Sequence, residues 1–123
     1  MALFDTDILI DNLRGTEGAK ETLLRFGYEK NYCSVITSGE ILFGMKKGER
    51  KQTFALLNSL EEIPVDKEII RLSRETKDRV KGYQLHLYDC IISATALKFN
   101  QVLITRNVKH YPDDRLQIIV PDY

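Results

Sequence analysis

The chain has 123 residues, with 18 basic and 18 acidic side chains and no formal net charge. This length suits one domain, residues 1–123, around one hydrophobic core, and it is too short for two such domains. The composition, 43% hydrophobic and 29% charged, excludes a disordered or fibrous protein, and without net charge any site for a polyanion has to be a local patch.

The first half of the chain alternates short apolar stretches with helical patterns. Residues 2–4 and 32–36 are predicted to be buried strands. Helices are predicted from the apolar spacing of residues 19–26, where Gly27 ends the helix, from residues 37–45 and from residues 54–60.

The second half continues the alternation. Residues 63–65 predict a short strand, which Pro64 confines to the edge of a sheet because proline cannot donate a ladder hydrogen bond. Helices are predicted from residue 67 to 80, closed by Gly82, and from residue 90 to 99. Residues 102–104 and 116–120 predict two last strands. Apolar strands separated by helices indicate an α/β protein whose parallel sheet is covered on both faces.

Location and redox state follow from the same inspection. No apolar run approaches the roughly 18 residues of a membrane-spanning helix. Asp5 lies where a signal peptide needs apolar residues. We therefore expect a cytoplasmic protein with no membrane segment, in which Cys33 and Cys90 are buried and reduced.

Three acidic residues from distant parts of the chain are predicted to meet. Asp5 directly follows the first strand, Glu40 lies in the helix after the second, and Asp89 opens the helix before the fourth. All three positions fall at the carboxyl edge of a parallel sheet, where ligands bind in such folds. Carboxylates held together repel one another and call for a cation, and oxygen donors without His or Cys favour Mg²⁺ or Mn²⁺. Such an ion can activate a phosphodiester.

Each acid also has a structural interpretation. Asp5 and Asp7 suit an N-cap or an Asx turn. Thr37 to Glu40 forms a capping-box pattern, and Asp89 suits the N-cap of a helix that begins at Cys90. Their shared edge of the sheet, rather than any one position, favours the functional interpretation.

Other polar residues follow the fourth strand or the second helix. Thr105 is a candidate to orient Asp5, and Asn107 and Asp7 are candidates for the second layer around a metal. Arg106 and Lys46 are candidate contacts for an RNA backbone, although a solvated surface also explains Lys46 and its basic neighbours.

Four segments together resemble the PIN-domain family, and within it the VapC-type toxins of type II toxin–antitoxin pairs. The segments are residues 3–10, 38–44, 88–96 and 103–111, and the resemblance runs from residue 2 to about residue 121. It implies a three-layer α/β/α sandwich whose five parallel strands lie in the order 3-2-1-4-5. It implies a Mg²⁺- or Mn²⁺-dependent endoribonuclease with Asp5, Glu40 and Asp89 as catalytic and metal-binding residues. It also implies a homodimer and an antitoxin partner. Many relatives carry a fourth acid where this chain has Asn107, so a second metal ion would be held weakly.

Two other functions remain open at this point. Residues 4–7 imitate the DxD motif of haloacid-dehalogenase-like aspartyl phosphotransferases, although Leu9 and the lack of a late acidic pair depart from it. The chain could also be a catalytically degenerate domain that binds RNA or a partner protein.

Overall fold

Five parallel strands form the sheet at the centre of the molecule. The computed structural model describes residues 1–26 and 31–123, so the predicted helix end at Gly27 lies outside the described residues. The strands are ordered β3-β2-β1-β4-β5, namely β1 (Ala2–Phe4), β2 (Asn31–Ser34), β3 (Glu61–Ile63), β4 (Val102–Ile104) and β5 (Ile118–Ile119). The α/β class and the strand order implied by the resemblance are confirmed.

Six α-helices and one short 3-10 helix are described between the strands. They are α1 (Thr6–Leu13), α2 (Glu17–Arg25), α3 (Val35–Phe43), α4 (Arg50–Asn58), α5 (Lys67–Arg79), α6 (Leu87–Lys98) and the 3-10 helix Val108–His110. No helix of the described segments has both the length and the apolar character that crossing a bilayer would require.

Two hydrophobic clusters cover the two faces of the sheet. Side chains alternate between the faces along a strand, so Phe4 packs with Ile8 and Leu9 of α1, while its neighbour Leu3 packs with Ile92 on the opposite face. The first cluster also takes residues from α2, α3 and α4, and the second takes residues from α5 and α6. The result is the expected three-layer sandwich.

Several element boundaries differ from the prediction. The chain has a separate helix α1, which the apolar spacing did not reveal. The second strand ends at Ser34 instead of residue 36, because the Ser34 hydroxyl accepts a hydrogen bond from the Ile36 amide at 3.1 Å and caps α3. Pro64 follows β3 directly instead of lying within it, and β5 has two residues instead of five. β3 therefore keeps the predicted length of three residues but begins two residues earlier, and β5 is shorter than predicted.

Candidate active site

An open cavity of about 330 Å³ lies beyond the carboxyl ends of the central strands. It is lined by Asp5, Thr6, Asp7, Glu40, His86, Tyr88, Asp89, Asn107 and His110. The structure thus brings together the three acids predicted from the sequence, along with Asp7 and Asn107. Four carboxylates line the cavity and no lysine or arginine of the described chain does, so its lining is acidic.

Asp5 is held in place through both of its carboxylate oxygens. Oδ1 accepts the Thr6 amide at 2.8 Å, which makes Asp5 the N-cap of α1, and Oδ2 accepts the Thr105 hydroxyl at 2.7 Å. The Thr105 hydroxyl accepts a hydrogen bond in turn from the backbone amide of Asn107 at 3.0 Å. Asp5 is therefore at once a helix cap and a fixed carboxylate in the cavity.

Glu40 reaches the cavity from the middle of α3. Because α3 begins at Val35, Glu40 is not in the first helical turn, and the capping-box interpretation does not apply. Its Oε1 accepts a hydrogen bond from the Thr6 hydroxyl at 2.8 Å. The Thr6 hydroxyl also lies 3.1 Å from the Thr37 hydroxyl. Burial raises the pKa of Glu40, and the charges of Asp5 and Asp89 raise it further. The negative charges of Asp5 and Asp89 thus act on the Glu40 carboxylate across the cavity.

Asp89 lies in the first turn of α6. The helix begins at Leu87 with His86 as its N-cap, so the interpretation of Asp89 as the N-cap is wrong. Burial raises the pKa of Asp89, the charge of His110 opposes this, and the charge of Asp5 adds to it. Tyr111 donates its phenol to Asp89 Oδ1 at 3.4 Å, and His110 Nδ1 lies 3.8 Å from Oδ2.

Asp7 is paired with the segment that follows β4. Its Oδ2 accepts the Arg106 amide at 2.9 Å and the Asn107 side-chain amide at 3.2 Å, while Oδ1 accepts the Ile8 amide at 2.8 Å. Burial and the charge of Asp5 raise the pKa of Asp7 to about 6. Asn107 thus neutralises no charge here but fixes the position of a further carboxylate.

The two candidate RNA contacts lie outside the cavity. The Arg106 guanidinium lies beside α1, where Nη1 is 3.3 Å from Asp11 Oδ2. Lys46 lines a neighbouring groove of about 100 Å³ that shares Glu40 with the cavity. Both cations therefore flank the acidic centre on the side of α1 and α3.

Thr6, Tyr111 and His86 are among the residues of the site that sequence reasoning missed. Thr6 bridges Asp5 and Glu40, Tyr111 is 2% exposed and contacts Asp89, and His86 lines the cavity. A signal existed for Thr6, which is a polar residue between two acids at the end of a buried strand. Tyr111 gives no comparable signal, because its contact depends on packing between segments 22 residues apart.

The donor chemistry of the cavity fits a hard divalent cation. The acids and Asn107 offer carboxylate and amide oxygens, which Mg²⁺ and Mn²⁺ prefer, and the mutual repulsion of the acids would be relieved by a positive ion. His86 and His110 also line the cavity, so its donors are not the oxygen-only set that the sequence predicts. Within residues 1–26 and 31–123, no three His, Cys, Asp or Glu side chains already enclose a metal position. Binding would therefore need side-chain rotation. Glu40 can supply it, because among the described residues only Thr6 hydrogen-bonds its carboxylate, through Oε1.

The chain is similar to known proteins over most of its length. Residues 2–111 match the model of the PIN domain family. Ribonuclease VapC10 of Mycobacterium tuberculosis is 32% identical over 115 residues, which span 91% of this chain and 86% of that protein. Ribonuclease VapC19 of the same organism is 28% identical over 116 residues, spanning 91% and 93% of the two chains.

Solved structures share the fold. A chain of the toxin–antitoxin complex from Klebsiella pneumoniae superposes with a TM-score of 0.85 at 34% identity, covering 97% of this chain and 96% of that one. A chain of VapBC2 from Rickettsia felis, bound to a DNA fragment from its promoter, superposes with a TM-score of 0.83, covering 98% of both chains. At 20% identity this second likeness concerns the fold alone.

Proposed function

The chain belongs to the PIN-domain family, and on that premise we propose that it is a divalent-metal-dependent endoribonuclease that hydrolyses phosphodiester bonds of RNA. The observation that carries this proposal is the shared cavity of Asp5, Glu40 and Asp89, which come from three separate parts of the chain. The relatives named as ribonucleases support the choice of RNA as substrate.

Mg²⁺ or Mn²⁺ would be held by Asp5, Glu40 and Asp89, with Thr105, Asn107 and Asp7 around them. A bound ion would polarise the phosphodiester and make water a stronger nucleophile, with a 5′-phosphate end as product. Thr6 and Thr105 keep Asp5 oriented in the cavity, and Thr6 also directs Glu40. Asn107 brings no charge, so we expect one tightly held ion rather than two.

The RNA backbone would be positioned by Arg106 and Lys46. Both flank a cavity that is itself lined by acids, so these cations offset its repulsion of phosphate. Sequence preference would come from the shape of the surroundings rather than from the acids.

We further propose that the protein is the toxin of a toxin–antitoxin pair and acts in the cytoplasm as a homodimer. The relative at 34% identity is described as part of a toxin–antitoxin complex, which supports an antitoxin partner. Exposed apolar side chains on α3, Val35, Leu42 and Phe43, offer surface for such contacts.

A cleavage assay tests the enzymatic proposal. Purified protein is incubated with structured and unstructured RNAs and Mg²⁺ or Mn²⁺, alongside Asp5→Asn, Glu40→Gln and Asp89→Asn and with EDTA. We expect the wild type to cleave RNA, only with metal, and these three variants not to cleave it, while circular dichroism shows that all variants are folded. Asp78→Asn, at an exposed acid of α5, serves as the matched control that keeps activity.

The same assay addresses the catalytically degenerate alternative, which predicts RNA binding without cleavage. Cleavage by Asp5→Asn at the wild-type rate would refute the assignment of the site. The haloacid-dehalogenase-like alternative has no observation in its favour, since the family match covers residues 2–111.

A further inference from the structure

Tyr123 packs against the start of α2 and the side of α1. Its ring lies so close to Gly18 that a Cβ added there would overlap it. Its phenol donates to Asp11 Oδ2 at 2.8 Å. Burial raises the pKa of Tyr123, and the hydrogen bond to Asp11 raises it further, so the phenol stays protonated and able to donate. A residue far from the acids in sequence is thereby fixed beside the helix that begins in the cavity.

Tyr123 and Asp11 together form a clasp that holds the Arg106 side chain. Its guanidinium carbon lies 4.4 Å from the centre of the Tyr123 ring, and its Nη1 lies 3.3 Å from Asp11 Oδ2, the oxygen that also accepts the Tyr123 phenol. The backbone amide of Arg106 is bound to Asp7. Both ends of the arginine are therefore attached to α1, at positions one helical turn apart.

The location of this clasp matters because of the charge around it. Asp7 lines the acidic cavity and Asp11 follows it by one turn, about 5.4 Å of rise. Arg106 thus presents a cation at the rim of a cavity that no lysine or arginine of the described residues lines. Its Nε and Nη2 make no hydrogen bond or ion pair within the described chain, and its side chain is 44% exposed. These donors are available to an incoming phosphate.

We propose that Tyr123 and Asp11 are positioning residues that hold Arg106 as a preformed anchor for a phosphate of the RNA strand next to the one being cleaved. The proposal rests on the proposed ribonuclease function. A free arginine loses rotamer entropy when it is ordered, and an arginine that is already stacked and paired has less rotamer entropy left to lose on binding.

A double-mutant cycle tests the clasp. Tyr123→Phe keeps the ring against Gly18 and under Arg106 but removes the donor to Asp11, and Arg106→Ala removes the anchor. KM and kcat for RNA cleavage are measured for the wild type, both single variants and the double variant. The Kd for a short single-stranded RNA is measured by fluorescence anisotropy with Asp89→Asn added to each, so that cleavage does not interfere. Arg74→Ala controls for the loss of one exposed positive charge, and Tyr83→Phe controls for the loss of one exposed phenol.

We expect Arg106→Ala to raise KM and Kd about tenfold, the effect of one charge-assisted hydrogen bond. Tyr123→Phe is expected to raise both about threefold and to have no further effect when Arg106 is already alanine. The kcat of each single variant should stay within about twofold of the wild type, because the clasp does not touch the reacting atoms.

The outcomes separate this inference from the proposed function. Suppose that the wild type cleaves RNA. If Tyr123→Phe then leaves KM unchanged, lowers Kd, or raises KM by the same factor with and without Arg106→Ala, the proposed role of Tyr123 is rejected. The proposed ribonuclease function is then unaffected. If RNA binds without being cleaved, the double-mutant cycle measured on Kd still tests whether Tyr123 positions Arg106. If RNA is neither cleaved nor bound, both proposals fail.

Discussion

Thr105 supplies the side-chain hydrogen bond that orients Asp5. It is fully buried, and its hydroxyl donates to Asp5 Oδ2 at 2.7 Å while accepting the Asn107 amide at 3.0 Å. Groups that orient a metal ligand typically change affinity or activity by about 10- to 100-fold when they are removed. Thr105, which directly follows β4, therefore connects that strand to the proposed metal site through Asp5.

Thr105→Val tests this link, because valine keeps the shape and removes the hydroxyl. We expect RNA cleavage to fall about 10- to 100-fold, since Asp5 loses a donor that fixes its rotamer. Thr105→Ser, which keeps the hydroxyl, should restore most of the rate.

Thr95→Val is the control for losing a buried hydroxyl elsewhere. Thr95 is also fully buried, and its hydroxyl donates within α6 to Ile91 O at 2.8 Å. Thr95→Val should lower the free energy of unfolding by about 1 kcal/mol, as Thr105→Val does, with little loss of activity. Equal losses of activity in Thr95→Val and Thr105→Val would mean that Thr105 contributes only to the core.

At the residue scale, the sequence indicates where the acids lie and that Thr105 is a partner of Asp5, but it does not indicate the partner of Glu40. Asp5 and Asp89 follow from topology, because the ends of parallel strands and the starts of returning helices share one edge. The bond between Thr6 and Glu40 joins residues 34 apart, and its existence depends on how α3 packs against α1. No local pattern records such a contact.

At the element scale, the buried acid Asp113 connects the segment between β4 and β5 to α5. The side chain of Asp113 is 1% exposed and accepts from Arg115 Nη2 at 2.7 Å and from the Arg115 amide at 3.0 Å, and Arg79 Nε of α5 lies 3.7 Å away. Arg115 holds the pKa of Asp113 below its usual value, chiefly through the side-chain hydrogen bond. The same segment carries Asn107 and Tyr111 into the site.

Asp113→Asn should lower the free energy of unfolding by about 1 to 3 kcal/mol at pH 7. Because the folded-state pKa lies below the unfolded value of 3.8, the stabilisation is present above pH 3.8 and is lost as the pH falls through the folded-state pKa. Urea titrations from pH 7 downward should therefore show the wild type and the variant converging below pH 3.8.

Asp114→Asn is the neighbouring control. Its side chain is 87% exposed although it contacts Arg79 at 3.0 Å, so we expect a change of less than about 0.5 kcal/mol. A cost as large as that of Asp113→Asn would show that burial does not govern these ion pairs.

The contact between Gly18 and Tyr123 gives a second prediction for elements. Alanine is a better helix former than glycine by about 1 kcal/mol, so Gly18→Ala in α2 would stabilise an isolated helix. In the folded chain its Cβ overlaps Tyr123, and we expect a lower melting temperature.

Gly39→Ala, in α3, is the matched control. A Cβ at Gly39 meets no atom within 4 Å, so this variant should gain up to about 1 kcal/mol from helix propensity. If Gly18→Ala is stabilised to the same degree, then Tyr123 does not pack there in solution.

Helix α1 shows why some elements escaped prediction. Thr6–Leu13 is only eight residues long, and its apolar residues Ile8, Leu9 and Ile10 are consecutive, a pattern that does not separate helix from buried strand. The N-cap bond of Asp5 to the Thr6 amide settles the choice locally. The long helix α5 was predicted to within one residue, because its buried residues Ile69, Ser73 and Thr76 repeat along one face.

At the scale of the whole molecule, the sheet determines the site. Apolar strands alternating with helices predicted a parallel sheet. The third strand was predicted at an edge, where β3 is found, although Pro64, the basis of that prediction, lies just after the strand. The complete strand order came from the family resemblance rather than from periodicity. With β1 at the centre of the five strands, Asp5 emerges between the elements that bring Glu40 and Asp89.

Joint binding of a divalent ion by the three acids is tested by a Mn²⁺ titration with isothermal calorimetry of the wild type, Asp5→Asn, Glu40→Gln and Asp89→Asn, with Asp78→Asn as control. We expect one Mn²⁺ site per chain in the wild type and the control, with the affinity weakened at least about tenfold in each of the other three variants. Unchanged Mn²⁺ affinity in all three variants would show that the acids do not form a metal site.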